Sequence, residues 1–205
     1  MFRDRNDAGK LLAERLAKYR GQDAVVLALP RGGVVVGYEI AQALSLPLDI
    51  VVVRKIGHPN NPEYAICAID EKGVLLCNET ERAAVDQLWL QKEMQRQRTE
   101  AQRRSALYRG KKKPANFEGK IAIIIDDGIA TGLTARLAIE GVKAHNPKTI
   151  VVAVPVASSG VVRKIKREVD ELIVLEPPEE FLGAVGAHYE HFSQVEDEEV
   201  IRLMA

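Results

Sequence analysis

Short, unbroken apolar runs alternate with amphipathic stretches along most of the chain. Ala24 to Leu29 (AVVLAL), Leu48 to Val53 (LDIVVV), Ile121 to Ile125 (IAIII), Thr149 to Val154 (TIVVAV) and Leu172 to Leu175 are compact runs with almost no polar alternation. Such runs predict strands buried on both faces. Helical spacings lie between them. Asn6 and Asp7 can cap a first helix whose apolar positions Ala8, Leu11, Leu12 and Leu16 fall three and four apart. Val34 to Leu44, Thr134 to Ala144 and Ser158 to about Val169 read as further helices. The expected class is therefore α/β, with a mostly parallel, doubly wound sheet. Right-handed crossovers place every βα loop at the carboxyl edge, where ligands bind in such folds.

The middle of the chain has another texture. Gly57 to Pro62 (GHPNNP) is dense in turn formers, and Tyr64 to Ile69 with Val74 to Cys77 predicts a hairpin. Glu79 to about Tyr108 predicts one long polar helix whose apolar positions, such as Ala84, Leu88 and Met94, are sparse. We read about 57–118 as an insertion in a single domain spanning 1–205, and about 177–205 as a carboxyl-terminal hood or tail. Glu196 to Met204 predicts a closing helix.

Composition narrows the picture only a little. The chain of 205 residues suffices for one buried core. Its 29 basic and 29 acidic residues cancel, so no global field draws it to nucleic acid or an anionic membrane. No apolar run approaches a membrane span of about 20 residues, and MFRDRNDAGK has no apolar core of the secretory kind. A cytoplasmic protein is expected. Cys67 and Cys77 flank a turn and could face each other on a hairpin, but two reduced cysteines are the expectation in that compartment.

The informative segment follows the third strand. Ile121 to Ile125 delivers Asp126 and Asp127 to the strand's end, and a loop of small and hydroxyl-bearing residues leads into a helix. Backbone amides from Ile129, Ala130, Thr131, Gly132, Leu133 and Thr134, with the two threonine hydroxyls, can surround a phosphate at the helix start. Gly128 and Gly132 allow close backbone approach. Two carboxylates can accept hydrogen bonds from vicinal sugar hydroxyls, with a divalent cation nearby. The residues suit a phosphorylated sugar.

This string resembles the 5-phosphoribosyl-1-pyrophosphate (PRPP) motif of type I phosphoribosyltransferases. The resemblance implies that Asp126 and Asp127 hold the ribose 2- and 3-hydroxyls while residues 128–134 hold the 5-phosphate. It also implies a pyrophosphate loop at Pro30, Arg31, Gly32 and Gly33, where the family often has a cis peptide. A basic residue at Arg54 or Lys55 would precede a loop closing over pyrophosphate. Catalysis would then fall to Asp126, Asp127, Arg31 and Lys55, with Mg²⁺ as cofactor, held mainly through the substrate. The small hood would clamp a nitrogenous base by stacking, with Phe181 first and Tyr189 second. Order and length, including Phe181 to Tyr189, resemble stand-alone members of this family without an assigned acceptor. In hypoxanthine–guanine enzymes a carboxylate stands just before the Thr-Gly pair, and Ala130 occupies that position here. This departs from a 6-oxopurine site of that kind.

The implied partners are PRPP and a small base, with a homodimer expected and neither membrane nor nucleic acid. The run from Arg96 to Lys113 has Glu and Gln interleaved, which suits a solvated face or a subunit contact. The alternative is a PRPP- or nucleotide-sensing regulator of the same fold that binds RNA through this run; hydrolysis or phosphate sensing at the cradle is a third reading. His145 reads as a helix-end residue, and His188 and His191 lack metal-ligand spacing.

Overall fold

The computed structural model describes residues 1–176 and 178–205; Pro177, the first residue of the expected tail, lies outside them. Five parallel strands form the main sheet: β1 (Ala24–Ala28), β2 (Leu48–Ile50), β6 (Ile121–Ile125), β7 (Thr149–Val154) and β8 (Glu171–Val174). Their spatial order is β2-β1-β6-β7-β8. Helices α1 (Arg5–Arg15) and α2 (Gly32–Leu44) cover one face, while α5 (Leu133–Lys143) and α6 (Ser159–Ile165) cover the other. The alternation of side chains along each strand explains the division. Val26, Ile123, Ile125 and Val151 pack toward α1 and α2, whereas Val25, Leu27, Ile124 and Val152 pack toward α5 and α6. Each fully buried Leu or Ile contributes about 1.5–3 kcal/mol relative to exposure.

The hairpin region begins earlier than the sequence suggests. β2 ends at Ile50, and Val53 already belongs to a second, antiparallel sheet of β3 (Val53–His58), β4 (Asn61–Asp70) and β5 (Leu75–Cys77). The apolar run LDIVVV crosses from one sheet to the other, so hydrophobicity alone hides the boundary. Cys67 and Cys77 stand opposite each other on β4 and β5 and are joined by a disulfide with S–S 2.02 Å, not reduced as expected. The antiparallel register brings them together.

The long polar helix is divided. α3 (Glu79–Ala84) stops before Val85, and α4 (Gln87–Arg109) restarts with the Asp86 side chain accepting from the Trp89 amide at 2.7 Å. Its buried positions Leu90, Gln97, Ala101 and Tyr108 follow helical spacing. The first helix is capped by Asp4, whose carboxylate accepts from the Asp7 amide at 2.8 Å, rather than by Asn6 or Asp7. The chain closes with α7 (Asp197–Met204). Among the described residues, no helix is long and apolar enough to cross a membrane.

Candidate functional site

β1 runs into α2 on one face, and β6 runs into α5 on the other. The two strands are neighbours, so their loops meet at the carboxyl edge where the winding changes direction. There the Leu29 amide donates to the Ile125 carbonyl at 2.9 Å. A cis peptide links Pro30 to Arg31, in the loop where the family often has one. Gly32 and Gly33 then lie against the acidic pair. A Cβ on Gly32 would sit 1.9 Å from Asp127 Oδ2, and one on Gly33 would sit 2.9 Å from the Ile125 carbonyl. Only glycine permits that approach.

The acidic loop is anchored at its root and open beyond it. The Ile129 amide donates to Val156 O at 2.9 Å, Ser158 N donates to Ile129 O at 3.1 Å, and Ser158 Oγ donates to Ala130 O at 2.9 Å. Ile129 is buried, and its amide is already used. It drops out of the expected phosphate cradle for that reason. Ala130 and Thr131 are exposed, and Gly132 adopts φ +83° just before α5. Among the described residues, no partner takes the amides of Ala130, Thr131 or Gly132. The first bond of α5 runs from Arg136 N to Gly132 O, so the amides of Leu133 and Thr134 also stay open. No acidic residue occupies the helix's first turn. A row of free amides and the Thr131 and Thr134 hydroxyls thus lie at and just before the N-terminus of α5, a set of donors of the kind that suits a phosphate.

The acids themselves are unequal. Asp126 accepts from the Asp127 amide at 2.9 Å, and its carboxyl is pushed well above the usual range by burial and then by the Asp127 charge. Asp127 pairs with Arg5, Nε to Oδ2 2.7 Å. Its backbone carbonyl accepts from the Tyr189 hydroxyl at 2.6 Å.

The other expected residues are dispersed around this centre. Arg31 is partly buried and points to Glu196 at 3.4 Å and Asp197 at 3.5 Å. Arg54 and Lys55 lie within the β3 hairpin, not at the end of a main-sheet strand. Arg54 donates to Gln97 at 3.0 Å, and its guanidinium is held below its usual pKa by burial and then by the like charge of Arg104. Lys55 is exposed beside a groove of about 300 Å³ that also includes His58, Trp89 and Arg96. Phe181 stacks on His188 with ring centroids 5.3 Å apart. Tyr189 does not present a face for stacking: it is 6% exposed and packs against Phe2 and Phe192. Its place is beneath the acidic loop.

Arg5, Glu196 and Asp197 are contacts that sequence reasoning missed. Arg5 lies 122 residues from Asp127, and no local pattern marks it. Four of the five arginines of α4, by contrast, are paired, while Arg98 Nε is buried without a hydrogen-bond partner among the described residues. Arg96 pairs with Glu93, Arg103 with Glu100 and Asp197, Arg104 with Glu100, and Arg109 with Asp49.

The doubly wound parallel sheet, with the acidic loop at its switch point, defines the class of fold. The chain belongs to the phosphoribosyl transferase domain family, whose match runs over residues 5–189. It is 41% identical over 211 aligned residues to two Mycobacterium tuberculosis proteins named provisionally as phosphoribosyl transferases. That match covers 100% of this chain but 46% of theirs, so the chain spans about half the length of these curated relatives. The crystal structure of TT1426 from Thermus thermophilus is 43% identical, with TM-score 0.80, over 99% of this chain and 97% of that one. The AQ2163 protein from Aquifex aeolicus, at 11% identity and TM-score 0.51 over 83% of this chain and 73% of that one, shares the fold alone.

Proposed function

We propose that the chain transfers 5-phosphoribose from PRPP to a nitrogenous base and releases pyrophosphate. One observation carries this reading: the acidic pair and the open amides of residues 130–134 follow β6, the neighbour of β1, whose own loop is Pro30–Gly33. The 5-phosphate would take those amides and the Thr131 and Thr134 hydroxyls. Asp126 and Asp127 would accept from the ribose hydroxyls. Pyrophosphate would lie over Gly32 and Gly33, with Arg31 turning from Glu196 and Asp197 toward it.

Bond breaking at the anomeric carbon develops positive charge on the sugar and negative charge on the leaving group. Fixed acids below the ring and cations at the pyrophosphate match that separation, so positioning and electrostatics supply the catalysis. Among the described residues there is no group of three or more His, Cys, Asp or Glu that could hold a metal. The donors present fit a magnesium ion carried in by the substrate's own oxygens, where it would neutralise the leaving pyrophosphate. Lys55 and Arg54, on the β3 hairpin, would close the pyrophosphate end. Phe181 is the aromatic residue left for the base, and Ala130 supplies no carboxylate to a purine ring nitrogen.

The test has two arms. A panel of bases, from adenine and orotate to xanthine, should include one that releases pyrophosphate from PRPP and Mg²⁺. In calorimetric titration, the double variant Asp126→Asn, Asp127→Asn should lose PRPP binding while keeping its circular dichroism. Unchanged affinity in that variant contradicts the assignment.

A further inference from the structure

We propose that Arg5 is a positioning residue of the sugar site, clamping Asp127 so that the acidic pair meets the ribose in one fixed arrangement. The proposal rests on the reading that this pair grips a ribose, and it adds a residue from the amino-terminal segment to that site.

Three contacts fix the Arg5 guanidinium. Nε donates to Asp127 Oδ2 at 2.7 Å, Nη1 donates to Ser193 O at 2.8 Å, and the group lies 3.8 Å from the centroid of the Phe192 ring. The ion pair is well shielded, with side-chain exposures of 10% and 16%. Such a pair is held far more firmly than a surface salt bridge. The planar fork of arginine meets the carboxylate, the carbonyl and the ring together, which the point charge of lysine does not.

The surrounding chain explains why this arginine reaches the site. The amino-terminal residues form a strap on the carboxyl-terminal tail. Phe2 N donates to His188 O at 2.8 Å, Glu190 N to Phe2 O at 2.9 Å, and His191 N to Arg3 O at 3.0 Å. That strap delivers Arg5 to the Asp127 carboxylate, while the Tyr189 hydroxyl donates to the Asp127 carbonyl. Asp127 is therefore restrained at both its side chain and its backbone.

The clamp has an electrostatic consequence for its neighbour. Asp126 resists ionisation because its carboxyl is desolvated and lies beside the Asp127 charge, and the Arg5 charge opposes that tendency. The Tyr189 hydroxyl, which donates to the Asp127 carbonyl, is a further titratable group at this centre, and Glu176 in turn acts on Tyr189. A protonated carboxyl donates a hydrogen, whereas sugar hydroxyls here need acceptors. Loss of Arg5 thus disorders one acid and favours protonation of the other.

Calorimetric titration with Mg²⁺ and, separately, PRPP, ribose 5-phosphate and inorganic pyrophosphate tests the proposal on the full chain. Arg5→Gln should weaken PRPP and ribose 5-phosphate about tenfold or more, and weaken pyrophosphate, proposed to lie over the neighbouring Gly32 and Gly33, distinctly less. Its PRPP binding should also be lost at a higher pH than in the wild type as the solution is acidified. Arg5→Lys should recover the pH profile more than the affinity. Phe192→Leu, which removes only the ring beneath the guanidinium, should weaken PRPP in the same direction by less. If the wild type binds PRPP and these variants bind it equally well with the same pH profile, the clamp is refuted. Parallel weakening of pyrophosphate refutes it too, since that marks general damage. Should Arg5→Gln not fold, wild-type PRPP affinity in both Arg5→Lys and Phe192→Leu refutes it. A wild type that binds no PRPP overturns the function proposed above instead.

Discussion

At the scale of single residues, the site depends as much on missing side chains as on those present. Gly32 has no Cβ, and that absence lets the loop after β1 press against Asp127. An alanine there would place a carbon 1.9 Å from Asp127 Oδ2 and 2.8 Å from Arg5 Nε. The end of a free side chain would swing aside cheaply, but this carboxylate is pinned by Arg5. The backbone must give instead. Gly32→Ala should therefore cost about 1–3 kcal/mol in urea unfolding, as overpacking does, and should weaken PRPP by displacing the acids. If it unfolds like the wild type and binds PRPP normally, the two loops are looser than their contacts indicate.

At the scale of elements, the small antiparallel sheet depends on a cross-link where the sequence led us to expect two reduced thiols. Cys67 and Cys77 close a short loop across β4 and β5, ten residues apart, and Cys67 is fully buried among Ile56, Ile66 and Leu90. Loop-closure entropy assigns such a bridge about 2–3 kcal/mol. The double variant Cys67→Ser, Cys77→Ser, or the wild type under reductant, should shift its urea midpoint down accordingly. An unmoved midpoint would mean that the hairpin holds without it. The expectation of reduced thiols came through the compartment that the sequence suggested. A ten-residue spacing around a turn, which fits a bonded hairpin equally well, did not reverse it. The parallel sheet was legible for the opposite reason. Runs such as IAIII are buried on both faces and leave no alternative partner for their side chains, and the acidic loop follows directly from one of them. Two boundaries were misplaced where composition is continuous: LDIVVV passes from β2 into β3 without a polar break, and the polar helix is divided at Val85 by a cap from Asp86. The Arg5–Asp127 pair was invisible because a contact between residues 122 apart in the chain depends on the finished fold.

At the scale of the whole molecule, Asp197 joins parts that are distant in the chain. Its carboxylate accepts from the Tyr108 hydroxyl at 2.5 Å and from Arg103 at 3.2 Å on the insertion helix, and it lies 3.5 Å from Arg31 in the loop after β1. The closing helix α7 thereby fastens the insertion to the main sheet beside the proposed pyrophosphate site. Lys112 supports the same junction by donating to the Met204 carbonyl at 2.6 Å. The Asp197 carboxyl is held below its usual pKa, chiefly by the Tyr108 hydroxyl and next, against burial, by Arg103. For an acid whose folded pKa is depressed, the stabilisation is complete above the unfolded value and disappears as pH falls through the folded one. Asp197→Asn should accordingly lose about 1–3 kcal/mol at neutral pH, the usual cost of hydrogen bonds to a charged group. The gap from the wild type should narrow once the solution is acidic enough to protonate Asp197 in both states. Urea unfolding at neutral and acidic pH measures this directly. A gap that stays constant with pH would assign the stabilisation to shape rather than charge. In that case the junction of α4, α7 and the Arg31 loop would be held by packing around Val195, Val200 and Tyr108.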